Sequence, residues 1–273
     1  MVSRLFTPIY SPLTHDLVMA KKTKIPLQNI FFSWLDALAV TVWGVLMLQY
    51  WLTGKLYLLI HPNFFALVIG CGIVLLIIGL LKMRAIWRQG RRVDTSNIQH
   101  LNLFPPGWGS ALLLTVAILG LTITPRVFAS DTAIQLGVTD LLSTGRAQPQ
   151  SFSPSIRPEE RSLVDWVRTL NVYPEPDSYT GQDAKVQGFV IHPPDIAKEY
   201  IFLARFVLTC CAADAYPVGL PVKLPKNQER YPPDTWLEVE GKMITETLGG
   251  KRNLTIAATS IKKIPQPRNP YSY

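Results

Sequence analysis

Two adjacent thiols, a carboxylate three residues on and an arginine five residues before them form the densest group of reactive side chains in this 273-residue sequence. They are Cys210, Cys211, Asp214 and Arg205, within the string RFVLTCCAADAYPVG. Thiolate sulfur and carboxylate oxygen can serve a divalent ion such as zinc, and His192 in the neighbouring connector can add a nitrogen ligand. Adjacent cysteines close one tetrahedral site poorly, however, and CxxC spacing is absent. Exposed thiols in an oxidising compartment also support redox chemistry, although a disulfide between chain neighbours is strained. The plainest reading packs one thiol as a small hydrophobe and lets the other line a loop. All three readings stand open on residue types alone. Arg205 interrupts an apolar run, so it should snorkel or pair with a carboxylate such as Asp214.

The elements that must position these residues read as strands. Candidates are 184–190, 200–209, 218–222, 235–244 and 254–264, separated by turn signals at Pro193 and Pro194, 214–217, 232–234, and Gly249 with Gly250. Successive side chains of a strand point to opposite faces. Cys210 and Cys211 therefore share a pocket only if the strand ends before them. Five short strands, with Gly188 and Gly241 at bends, predict a small all-β domain over 181–273, an OB-fold-like barrel, with a β-sandwich as its competitor. Glu238 and Glu240 alternate with Leu237 and Val239, which is half-buried strand patterning rather than a catalytic carboxylate dyad.

The first half of the chain has a different composition. Ile30–Leu52 is long enough to cross a hydrocarbon core of about 30 Å, and carries one charge, Asp36. That carboxylate reaches the interface or a helix partner, or else serves function. Phe64–Leu81 has no charge, holds Cys71, and offers Gly70, Gly72 and Gly79 for close helix approach. A third run, Gly109–Thr124, is shorter than a usual span, and Trp108 extends it toward the interface. Three transmembrane helices are expected, at about 30–52, 64–81 and 107–126, within a membrane region of 30–129. His61, ahead of a proline, reads as a loop residue.

Basic residues set the orientation. The 1–29 tail and the segment from Lys82 to Pro106 together hold nine Lys or Arg, whereas the connector between the first two runs holds only Lys55. The excess places both basic segments in the cytoplasm and the β domain outside, provided that the third run spans. The tail is too long and polar for a typical signal peptide and is read as retained. The net charge of +8 is thereby explained by topology and anionic lipid rather than by nucleic acid. Residues 130–180 read as a linker containing a short amphipathic helix, 158–170, whose apolar face should dock on the β domain or on the membrane surface.

The strings GFV, RFVLTCCAADAYPVGLPV, DTWLEVEGK and PQPRNPYSY resemble the YcgQ-like family, bacterial membrane proteins with an N-terminal transmembrane part and a C-terminal domain of unknown function. The resemblance implies an accessory subunit working beside a multispanning permease in the bacterial cell membrane, with Cys210, Cys211 and Asp214 in the family's most distinctive motif. The connector IHPPDIAKE departs from that pattern, which argues against a ligand role for His192. No Ser/His/Asp order, Gly-rich phosphate loop or HExxH appears, so no enzyme is expected. The competing reading is a membrane-tethered metal-binding or thiol-redox domain independent of transport.

Overall fold

The computed structural model describes residues 27–89, 107–137, 157–194, 196–226 and 230–273. The expected tail up to residue 26, the basic loop beyond Gln89 and the linker over 138–156 lie outside these residues.

Helix α1 spans Leu27–Leu52 and α2 spans Phe65–Gln89. Within them, Ile30–Leu52 and the stretch Pro62–Arg88 are long and apolar enough to cross a membrane. The second helix runs past its expected end at Leu81 because Lys82, Met83, Arg84 and Arg88 are good helix formers. Gly54, in the left-handed region at φ 73°, stops α1 and turns the chain into the connector. His61 then caps a 3-10 turn, its Nδ1 accepting from the Asn63 N–H at 3.1 Å.

Helices α1 and α2 pack antiparallel at close range. A Cβ on Gly44 would lie 2.9 Å from the Gly72 carbonyl oxygen, and one on Gly79 would strike Thr41. Gly70, by contrast, faces open space. Asp36 reaches Lys82 at 2.5 Å, so its place near the helix start supplies a helix partner.

Helix α3, Trp108–Thr122, has 15 residues and is shorter than the expected 107–126. It ends because Pro125 disfavours helical geometry in the residue before it, and Ile123 is already extended. It runs parallel to α1. Gly107 meets Phe32, Trp43 Nε1 donates to the Leu113 carbonyl at 3.0 Å, and Tyr50 Oη donates to the Gly120 carbonyl at 2.5 Å.

The C-terminal half is a sheet of six strands: β1 Asp183–Ile191, β2 Tyr200–Val207, β3 Tyr216–Lys223, β4 Trp236–Leu248, β5 Lys251–Lys263 and β6 Tyr271–Ser272. The pairing order is β1-β4-β5-β3-β2-β6, and β1 also pairs with β2, so the ladder returns to its start. Contacts between β3 and β5 are parallel and short, Val222 with Ile256 and Lys223 with Ala257. The two expected bends fall where backbones crowd. A Cβ on Gly188 would lie 2.6 Å from the Ala204 oxygen, and Gly241 sits at a register shift in the β4–β5 ladder.

Three elements were placed differently by sequence, or missed. A 3-10 turn at Pro158–Glu160 precedes the amphipathic helix, which starts only at Leu163 and ends at Val172 (α5). Ser162 and Asp165 form a reciprocal capping box that fixes this start. Helix α4, Ser130–Gln135, and strand β6 carry too few residues for any periodicity to show.

The core has two parts. Inside the sheet, Leu203, Leu237 and Met243 pack against Trp166, Val167 and Leu170 of α5, so that helix docks on the β domain. On the outer face, Phe189, Phe206, Trp236 and Tyr271 pack with Leu58 of the α1–α2 connector and with Val127 and Phe128 beyond α3. This second cluster joins the β domain to the helices.

Candidate functional site

Strand β2 ends at Val207, where Tyr216 opposes it, and Leu208 donates its N–H to the Ser272 carbonyl at 2.9 Å. The chain then leaves the sheet, so Thr209, Cys210 and Cys211 lie in a turn rather than in the expected continuation of the strand to residue 209. A 3-10 turn at Ala212–Asp214 swings the Asp214 carboxylate back over this segment. Its Oδ2 accepts from Thr209 Oγ1 at 2.6 Å and from the Cys210 N–H at 2.7 Å. Its Oδ1 accepts from the Thr209 N–H at 3.2 Å and from the Cys211 N–H at 3.4 Å. The Cys211 side chain in turn accepts from the Asp214 N–H, closing a reciprocal cap.

This geometry fixes the electrostatics. Partial burial pushes Asp214 upward, yet the Cys210 and Thr209 side chains and their backbone N–H groups outweigh it and hold the carboxyl at about 2. The Cys210 thiol is pushed up to about 12, mainly because it donates to the Asp214 carboxylate and to Cys211. A thiol held protonated is a poor nucleophile. The carboxylate lone pairs a metal would need are already directed at N–H and O–H donors. Among the described residues, no group of three His, Cys, Asp or Glu side chains is placed to hold a metal ion.

The backbone of the cysteine segment has a different partner. The His61 N–H donates to the Cys210 carbonyl at 2.9 Å, and the Ala212 N–H donates to the Leu59 carbonyl at 2.8 Å. Ile60 and Cys211 thus form an antiparallel bridge between the α1–α2 connector and the turn. Beside it the Tyr273 ring meets the His61 ring edge-on at 4.7 Å, and Tyr273 Oη donates to Asn269 Oδ1 at 2.9 Å. Burial pushes the Tyr273 phenol up to about 12. A second tie is the Ser130 N–H, which donates to Asp234 Oδ1 at 2.6 Å.

Of the two roles expected for Arg205, snorkelling or pairing with a carboxylate such as Asp214, the pairing with Asp214 does not form. Arg205 sits where β1 leaves the edge of β2, after Ala204, and β6 joins it, at Phe206. Its Nη2 donates to the Asn269 carbonyl at 3.1 Å, and the guanidinium lies 5.7 Å from the centre of the Trp236 ring. Burial lowers its pKa from the usual arginine value, and its buried Nε has no hydrogen-bond partner. His192 lies at the far end of the sheet. It follows Ile191, which opposes Phe202, whereas the cysteines follow Val207. The five strand residues between those points separate the two sites by roughly 17 Å. The His192 Nε2 is instead 2.7 Å from the Tyr231 carbonyl. Sequence reasoning missed Leu59, Ile60 and Tyr273, because a backbone edge carries no residue-type signal. The histidine before Pro62 was the available hint of an ordered cap.

Residues 146–273, which include the whole β domain and α5, match the family described as the DUF1980 C-terminal domain. The chain is also 26% identical over 136 residues to the UPF0703 protein YcgQ of Bacillus subtilis (strain 168). That alignment covers 48% of this chain and 47% of the relative, so the similar stretch spans about half the length of each.

Proposed function

We propose that this protein, whose residues 146–273 match the DUF1980 C-terminal domain family and which is similar to YcgQ over about half its length, is a membrane-anchored accessory subunit of a permease complex. Its β domain, read as an OB-fold-like barrel from the closed circuit of strand pairings, is the extracytoplasmic platform of that complex. The observation that carries this reading is the seam between Leu59–His61 and Cys210–Ala212. It holds the platform on the membrane hairpin in one orientation, as a subunit that presents a surface to a neighbour requires. The CCAAD motif is then a staple: Asp214 shapes the turn, and the turn offers its backbone to the connector.

In this reading α3 is a third crossing. Its contacts with α1 run from Phe32 to Tyr50, which is most of the depth that α1 covers. Lys82, Arg84 and Arg88 lie at the opposite end of the helices from the β domain, and their charge assigns that end to the cytoplasm.

Two experiments test the proposal. The first puts a single cysteine at exposed Arg268 (Arg268→Cys), with Cys71, Cys210 and Cys211 replaced by Ser, and labels intact cells with a membrane-impermeant maleimide. Labelling is expected without permeabilisation; labelling only after permeabilisation reverses the orientation. The second is purification in mild detergent, where a multispanning membrane protein should co-purify. Its absence under conditions that preserve other membrane complexes removes the accessory role.

A further inference from the structure

The outer aromatic cluster gives the depth of the β domain relative to the bilayer. Leu58 lies six residues beyond the end of α1 at Leu52, and Val127 and Phe128 lie five and six residues beyond the end of α3 at Thr122. Polar headgroups occupy roughly 5–8 Å on each side of the hydrocarbon core. Segments so close to the helix ends lie in that layer, and the buried cluster of Trp236 and Tyr271 packed on them holds the adjoining face of the domain at that depth.

Arg205 lies within this face. Its partners are a carbonyl, at Asn269, and the Trp236 ring, and its Nε is unpartnered. A partly buried cation with no carboxylate partner is costly unless an anion completes it. Around it the same layer carries exposed Arg268, beside Asn269, and exposed Lys262, which opposes Glu238 on the Trp236 side of β4. Carboxylates of the neighbouring elements are engaged elsewhere. Asp214 holds the cysteine turn, Asp234 accepts from Ser130, and Glu238 accepts from Gln187 at 2.7 Å with Lys185 at 3.8 Å; exposed Asp131 is on α4.

We propose that this face binds the phosphate of an anionic phospholipid headgroup, with Arg205 against Trp236 as the inner contact and Arg268 and Lys262 as the outer ones. The inference rests on the helices crossing the bilayer. It holds whichever side the domain occupies, so its failure and that of the accessory role are separable.

The test uses the full chain in nanodiscs of phosphatidylcholine alone, or with about a third phosphatidylglycerol. Phosphatidylglycerol should raise the thermal midpoint of the wild type and remain bound in native mass spectrometry. In Lys262→Gln/Arg268→Gln, whose side chains are exposed and whose fold should persist, retention should fall about fivefold per effective charge lost. Arg205→Gln should abolish the phosphatidylglycerol effect, and Arg205→Lys should restore part of it. Equal retention by the wild type and the double variant overturns the proposal. So does the same stabilisation in phosphatidylcholine nanodiscs from added inorganic phosphate, which would assign the face to a soluble anion.

Discussion

The β domain hides Trp166, Leu203 and Leu237 completely, whereas α2 leaves Leu67, Val74 and Leu81 more than half exposed. The two regions carry similar apolar side chains and use them in opposite ways. In the β domain, removal of apolar surface from water drives packing, so the core is filled and its surface pairs, such as Lys185–Glu240 at 2.7 Å, contribute little. In lipid, where the proposed function places the helices, no such drive acts between them. The helical part is therefore held by close backbone approach at Gly44 and Gly79 and by a few polar contacts. The seam at Cys210–Ala212 is where the two regimes meet, and it is built from backbone hydrogen bonds.

The largest expected effect lies in the filled core. Leu203→Ala should destabilise the β domain by about 3 kcal/mol, read as loss of its denaturant-resistant transition while the helices stay inserted. If the helices and the β domain unfold as one unit instead, the contrast between the regions fails. Gly44→Val should push α1 from α2 at a cost of about 1–3 kcal/mol. A lowered melting temperature of the helical part, with unchanged hydrogen exchange in β1–β5, is the expected readout.

Asp214→Ala tests the seam. Loss of a carboxylate that accepts four hydrogen bonds should cost about 1–2 kcal/mol, and amide exchange should quicken at residues 59–61 and 209–212 together. Quickening confined to 209–212 would separate the turn from the docking. In the same variant the Cys210 thiol loses the partner that raises its pKa, so alkylation near neutral pH should accelerate. Asp214 also sets a pH window. Its folded pKa of about 2 lies below the ordinary 3.8, so its stabilisation is complete above about pH 4 and is lost as pH falls toward 2. Protection of the 59–61 amides should decline over that range. The smallest effect should come from Asp36→Asn. Its pair with Lys82 is about half exposed at 47% for each side chain, and is worth about 1 kcal/mol or less.

Much of this architecture was legible in the residues. Apolar runs of sufficient length located α1 and α2, alternation located β1 to β5, and Ser162 with Asp165 held the cap that starts α5, although the helix was expected to begin at Pro158. The grouping of Cys210, Cys211 and Asp214 was visible too, but its meaning was not. Residue types left metal, redox and structural readings open, and only the fold shows that the Asp214 carboxylate is turned onto the N–H groups of Thr209, Cys210 and Cys211.

What the amino-acid order determined by itself was local: hydrophobic period, charge balance, and the residues able to cap or turn. Contacts between segments far apart in sequence were left to the tertiary structure. Ile60 and Cys211 meet through backbone atoms that every residue carries, and Arg205 faces Trp236 rather than Asp214 because β1 leaves β2 where β6 enters. A side-chain pattern records which face of an element is apolar, but not which other element will cover it.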